Sequence, residues 1–241
     1  MPPSPDDSSQ SMGACFAYCL DNNIETFPLE NAYLGYEIED VKVRIALKKL
    51  SKIDYRVSKK DIINKTVKLL LKDKTIGICN GKSEFGARAL GNRSIVCNPQ
   101  NIENIKKINE KVKNRDFWMP FAVSILKDHH KKYIINSKSL MSSHMTMGFD
   151  THKKNLKNII SGTHPYDETV RPQILERNFN KRYYDLIKSF YKQTKIPALL
   201  NTSLNLHGKP TVSNLKQAIY TLRNSKLDCL VVNYKYIIKK N

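Results

Sequence analysis

The chain reads as an α/β protein built on one sheet, and two observations lead there. Short apolar runs, Thr75 to Cys79, Phe121 to Leu126, Ile196 to Leu200, Cys229 to Val232 and Tyr234 to Ile238, alternate with segments whose apolar residues recur at helical spacing. The polar clusters follow the ends of those predicted elements, where open α/β sheets place their ligands.

In chain order, Asp6, Asp7, Ser8 and Ser9 are available to cap a short helix with Met12, Cys15, Phe16 and Cys19 on one face. Phe27-Pro28 and Gly35 mark a connector, and Glu37 to Leu50 carries helix-forming residues on a less regular pattern. Ser58 to Asp61 resembles a capping box opening a helix to about Lys72, with Ile62, Ile63, Val67, Leu70 and Leu71 as its apolar stripe. Ile102, Ile105, Ile108 and Val112 predict a helix over 101–113. Residues 127–160 carry no clear period, and Met141, Met145 and Met147 there read as flexible core or lid residues. Tyr184, Ile187, Phe190 and Tyr191 predict a helix from about Asn180 to Gln193, and Ser213 is placed to cap a last one carrying Leu215, Ala218, Ile219 and Leu222.

Composition narrows the class. The 241 residues, 40% hydrophobic, suffice for one large domain or a domain with an appendage. No apolar run reaches eighteen residues and the start, Met-Pro-Pro-Ser-Pro-Asp-Asp, lacks the pattern of a signal peptide, so a soluble cytoplasmic chain without a membrane partner is expected. Cys15, Cys19, Cys79, Cys97 and Cys229 are odd in number and mostly in apolar surroundings, which predicts reduced thiols; nothing near Cys15 and Cys19 completes a zinc set. The charge of +19 favours anionic partners, nucleic acid among them. Its lysines are spread along the whole chain, as on a solvated surface, so nucleic acid is not the favoured partner.

Residues 81–94 concentrate the chemistry. Gly81, Gly86 and Gly91 stand at five-residue intervals, interleaved with Glu84, Arg88, Asn92 and Arg93. Glycine lets backbone approach a ligand, and arginine offers a planar fork of donors for phosphate or carboxylate. Gly77 to Ser83 is not a Walker phosphate loop, since three residues separate its glycines where that motif has four. Further clusters stand at Lys113 to Arg115, His164 to Gln173 and Asn201 to Asn205. Arg88, Lys113 and Arg171, with Asn201 and Ser203, would make a cationic pocket for a nucleoside triphosphate or an acyl phosphate.

Glu-Phe-Gly-Ala-Arg-Ala-Leu-Gly-Asn-Arg-Ser-Ile, then Ile-Asn-Glu-Lys-Val-Lys, Pro120-Phe121-Ala122, Leu-Leu-Asn-Thr-Ser-Leu-Asn and Gly208-Lys-Pro together resemble the C-terminal, YrdC-like domain of the O-carbamoyltransferases. That family includes the nodulation carbamoyltransferase and enzymes that carbamoylate cephamycin-type and aminoglycoside antibiotics. The resemblance implies a YrdC-like twisted mixed sheet flanked by helices over residues 31–241. Residues 1–30 would be the tail of a Kae1-like transferase domain, whose remainder is the expected partner, in cis or as a separate chain.

It also implies a chemistry. The domain takes ATP, with Mg²⁺, and carbamoyl phosphate, forms carbamoyl adenylate, and the transferase domain passes the carbamoyl group to a substrate hydroxyl. Arg88, Lys113, Arg171, Asn201 and Ser203 fall on the family's carbamoyl phosphate and nucleotide positions; Glu84, Asn92, Arg93, His164 and Asp167 are candidates for bracing the loops. No catalytic residue is assigned: Ser203 has no histidine visibly placed to activate it. Asp7 falls near a metal-ligand aspartate of the transferase domain, but without the accompanying histidines no metal is expected. Two positions depart from the pattern, Met119 where a basic residue is usual and Glu168 where glycine is usual. The alternatives are a non-catalytic or RNA-binding YrdC-like module, of the kind related to threonylcarbamoyl-adenylate synthases of tRNA modification, and an inactive copy.

Overall fold

A computed structural model describes residues 3–50, 55–114 and 118–241. Strands β1 (Tyr55–Ser58), β2 (Ile76–Cys79), β3 (Arg93–Cys97), β4 (Ala122–Leu126), β5 (Gln173–Leu175), β6 (Ala198–Ser203), β7 (Cys229–Val232) and β8 (Tyr236–Lys240) form one sheet in the order β1-β8-β7-β2-β3-β6-β4-β5. Pairs β2–β7 and β4–β5 are parallel and the others antiparallel, so the sheet is mixed. The helices are α1 (Gln10–Asp21), α2 (Asp40–Lys49), α3 (Ile62–Leu70), α4 (Glu103–Ile108), α5 (Lys181–Thr194) and α6 (Leu215–Arg223).

Period-two alternation decides which helices cover which face. Cys229 and Val231 of β7, with Ile76 and Ile78 of β2, pack with α3 and α5 through Val67, Leu70, Ile187 and Phe190. The intervening Leu230, Val232 and Cys79 pack with α2 and α6 through Val43, Leu215, Ala218 and Leu222. Both faces are therefore dry, and the central strands read as continuous apolar runs. Burial pushes the Cys79 thiol up to about 11 and the Cys229 thiol to about 12, which leaves both unreactive.

Several elements differ from the sequence reading. Ser58 and Asp61 form no capping box: Ser58 ends β1, a strand the sequence did not announce, and Asp61 stands before α3 at φ 52 without a side-chain cap. The cap of α6 is Asn214, whose side chain accepts from the Gln217 N–H, while the Gln217 amide oxygen accepts from Ser213 N and Oγ. Strand β3 begins inside the stretch that reads as loop, because Arg93 and Ser94 are polar yet fully buried. The last strand starts later than expected: Asn233 and Tyr234 both take positive φ and close a tight β7–β8 turn on the Lys235 N–H to Val232 carbonyl bond. The helix expected over 101–113 is α4 followed by a π-helical turn, Asn109–Lys113. Arg115 lies outside the described residues.

Candidate functional site

The loop between β2 and β3 is held by its own polar residues. One oxygen of Glu84 accepts the backbone N–H groups of Leu90, Asn92 and Arg93 at 2.8, 2.7 and 3.1 Å, so a carboxylate fills a nest of converging donors. Arg93, fully buried, donates to the carbonyls of Asn80, Asn92, Tyr36, Gly81 and Ser213 and ties the loop to the connector before α2 and the cap of α6. Asn92 donates to the Lys82 carbonyl and accepts from Asn80 and Asn180. Gly91 sits at φ +108, and a Cβ there would lie 2.2 Å from the Tyr183 ring. Burial holds the Tyr33 phenol well above its ordinary pKa, so it stays protonated and donates to the Leu90 carbonyl at 2.7 Å. Glu84, Asn92 and Arg93 thus brace the loop, Glu84 and Arg93 through backbone groups and Asn92 through the Lys82 carbonyl and the Asn80 and Asn180 side chains.

That bracing presents Arg88 to a small hollow shared with Arg171, Asn201 and Ser203, with Phe121 and Met145 as apolar walls. Its volume of about 50 Å³ has room for a group of a few heavy atoms. Asn201, 2% exposed on β6, donates through Nδ2 to the Ala89 carbonyl and to Ser124 Oγ. Its Oδ1 is buried without a hydrogen-bond partner among the described residues. A buried unpaired acceptor costs about 1–3 kcal/mol, which an incoming N–H would recover.

Lys113, at the end of the π-helical turn, does not line the hollow but lies next to it. Its Nζ donates to the Ser203 carbonyl and Oγ at 2.6 and 3.0 Å and to Asn205 Oδ1. Ser203 in turn donates to Asn205 Oδ1 at 2.7 Å, so its hydroxyl both accepts from Lys113 and donates to an amide. Four of the five expected site residues therefore share one hollow, and the fifth touches it through Ser203.

The segment that carries Arg171 is shaped by its own polar groups. His164 Nδ1 accepts from the Tyr166 and Asp167 N–H groups, and Asp167 accepts from Thr169 N and Oγ1. The Thr169 backbone bond holds the Asp167 carboxyl below its ordinary range. Glu168 takes φ 58, the left-handed region that favours glycine, which explains the residue usual at this position. Its carboxylate pairs with Lys153. Met119 is partly exposed, next to Pro120 at the hollow's wall.

Ser124, and Gln173 and Asn205 at the ends of two of the polar clusters, carry no role in the sequence pattern but also build the site. Ser124 donates to Gln173 Oε1 at 2.7 Å, and Gln173 Nε2 reaches the Leu90 carbonyl, so β4, β5 and β6 are locked to the loop through buried polar side chains. Asn205 is the shared acceptor of Lys113 and Ser203. Its two-residue spacing from Ser203 was the available signal. Larger hollows exist elsewhere, but this one joins two guanidinium groups to a buried unpaired amide oxygen. Such a set suits an anion that also carries an N–H donor.

A mixed sheet flanked by helices, with two arginines gathered at one hollow by the end of β6, defines an α/β domain with a cationic pocket. The sequence pattern of the family "Carbamoyltransferase C-terminus" matches residues 67–240, and the chain belongs to that family. A protein of Methanocaldococcus jannaschii is 39% identical over 246 residues, covering all of this chain and 46% of its own length. Nodulation protein NolO of Bradyrhizobium diazoefficiens is 35% identical over 75% of this chain and 33% of its own length. Nodulation protein U of Rhizobium fredii is 28% identical over 87% of this chain and 34% of its own. The chain thus spans less than half the length of these relatives. Its fold is YrdC-like: full-length HypF, crystallised in a phosphate- and nucleotide-bound form, overlays on 74% of this chain and 24% of its own at a TM-score of 0.50 and 16% identity.

Proposed function

We propose that this chain is the adenylate-forming part of an O-carbamoyltransferase, taking ATP with Mg²⁺ and carbamoyl phosphate and making carbamoyl adenylate. The observation that carries the reading is the hollow where Arg88 and Arg171 meet the unpaired Asn201 oxygen. The two guanidinium groups would offset phosphate charge, and Asn201 Oδ1 would accept from the carbamoyl NH₂, which an acetyl group lacks. Ser203 and Lys113 add a hydroxyl and an ammonium beside the phosphate positions.

The reaction balances as two displacements. Water cleaves carbamoyl phosphate to inorganic phosphate and carbamate. A carbamate oxygen then attacks the α-phosphorus of ATP, and the bond to the β-phosphate breaks to release pyrophosphate. Both steps crowd anions together, which is where fixed positive groups lower the barrier. Enclosure by Phe121 and Met145 would shield carbamate from water. Among the described residues no cluster of His, Cys, Asp and Glu is placed to hold a metal ion, so Mg²⁺ would arrive on the nucleotide.

Transfer to a hydroxyl would fall to a Kae1-like domain, in cis or as a separate chain. Two findings support that partner: the relatives are more than twice as long, and α1 buries none of its residues while exposing Phe16, Tyr18 and Leu20. No helix among the described residues is long and apolar enough to cross a membrane.

The test is incubation with ATP, Mg²⁺ and carbamoyl phosphate. Pyrophosphate release that requires carbamoyl phosphate, with carbamoyl adenylate in the mass spectrum, is expected. Folded protein that binds ATP without releasing pyrophosphate would mark an inactive copy and refute the reading.

A further inference from the structure

At the opposite end of the sheet, near edge strand β1, two adjoining hollows of about 630 and 340 Å³ share Leu50 and Tyr55. They share no residue with the Arg88 hollow and are several times larger. Arg44, Lys48 and Lys59 line the first, and Lys49, Lys216 and Arg223 line the second. Among the described residues no carboxylate lines either one. None of the eight salt bridges found among the described residues involves these six cations.

The floor supplies the second half of the pattern. Tyr55, Tyr220 and Tyr236 line the hollows, Tyr55 on both sides of the junction and Tyr220 57% exposed, with Leu47, Val57 and Ile219 between them. Phenol rings and cations lining the same groove fit a ligand that repeats a planar ring and a negative charge. We infer that this groove binds single-stranded nucleic acid, with bases against the tyrosines and phosphates against Arg44, Lys48, Lys216 and Arg223. The site is independent of the Arg88 hollow and holds whether or not that hollow makes carbamoyl adenylate.

The probe is a fluorescein-labelled twelve-nucleotide oligouridine, read by anisotropy between 50 and 200 mM salt. The expected result is binding that weakens with salt. Lys48→Glu with Lys216→Glu is expected to weaken it about tenfold and to lower the salt slope by about 1.4, at roughly 0.7 for each single-strand phosphate contact. The control pair Lys154→Glu with Lys157→Glu, exposed and outside the groove, makes the same change in net charge and should shift affinity less than about threefold. Tyr220→Ala, at an exposed position, should weaken oligouridine about fivefold and leave polyphosphate binding unchanged. Equal losses in the two charge-reversed pairs would show diffuse attraction to a chain of charge +19 and overturn the inference. So would absence of binding at 50 mM salt, indifference to Tyr220→Ala, or equal competition by polyglutamate of the same charge, which would point to an acidic peptide.

Discussion

Two stretches of this chain invert the usual relation between polarity and burial. Residues 10–36 are rich in apolar side chains, yet Phe16, Tyr18, Leu20, Ile24, Phe27, Leu29 and Tyr36 all stand exposed. Residues 84–94 are rich in polar ones, yet Asn92, Arg93 and Ser94 are buried in the sheet. The difference lies in what each can pair with. Most of the loop's polar atoms find converging backbone groups, the Arg93 Nε excepted, so burial costs them little. In the N-terminal arm only the end is anchored among the described residues, where Ala32 and Tyr33 pack against Leu90, Ala122 and Met145, and the apolar side chains before them stay exposed.

The sharpest way to break that contrast is to remove the buried charge. Arg93→Met takes a donor from five carbonyls, of which those of Tyr36, Gly81 and Asn92 keep a backbone N–H, and is expected to cost about 2–5 kcal/mol, read as a lower urea midpoint. An unchanged midpoint would mean that the loop is not held this way. Gly91→Ala puts a methyl into the Tyr183 ring at a positive φ, and about 1–3 kcal/mol of destabilisation is expected by the same measurement.

The joint between the arm and the sheet offers a pH test. Hydrogen bonds from Lys235 and Asn233 hold the Asp40 carboxyl below its ordinary 3.8. A depressed folded-state value means a contribution that is complete above the unfolded value and is lost as pH falls through the folded one. Asp40→Asn should therefore lower the urea midpoint at pH 7, and the deficit should shrink as pH drops below about 3.8. A deficit that persists at acid pH would assign it to geometry rather than charge. The smallest effect is expected in the arm: Phe16→Ser with Leu20→Ser should change stability by no more than about 0.5 kcal/mol, checked by thermal melting. A larger loss would show that α1 is packed after all.

How far the sequence could be read follows the same division. Apolar strands β2, β4, β6 and β7 and helices α3, α5 and α6 announce themselves because burial on both faces leaves a continuous or periodic apolar signal. Strand β3 does not, since its first two residues are an arginine and a serine whose burial depends on carbonyls brought from Tyr36 and Ser213. Strand β1 is a four-residue edge strand with two exposed or half-exposed faces, too short for a period. Within the site, Arg88, Arg171, Asn201 and Ser203 were legible as polar residues after predicted elements. Gln173, Ser124 and Asn205 were less so, because their part is to hold other side chains, and that shows only once β4, β5 and β6 are side by side.

The central claim is that Arg88 and Arg171 act on one anion although eighty-odd residues of sequence separate them. Calorimetric titration of carbamoyl phosphate into the chain and into Arg171→Ala tests it directly, with the urea midpoint as a check on folding. The account predicts saturable binding that Arg171→Ala weakens by about tenfold or more, worth roughly 1.4 kcal/mol for each factor of ten, with the midpoint unchanged. Equal affinity in the two proteins would contradict it.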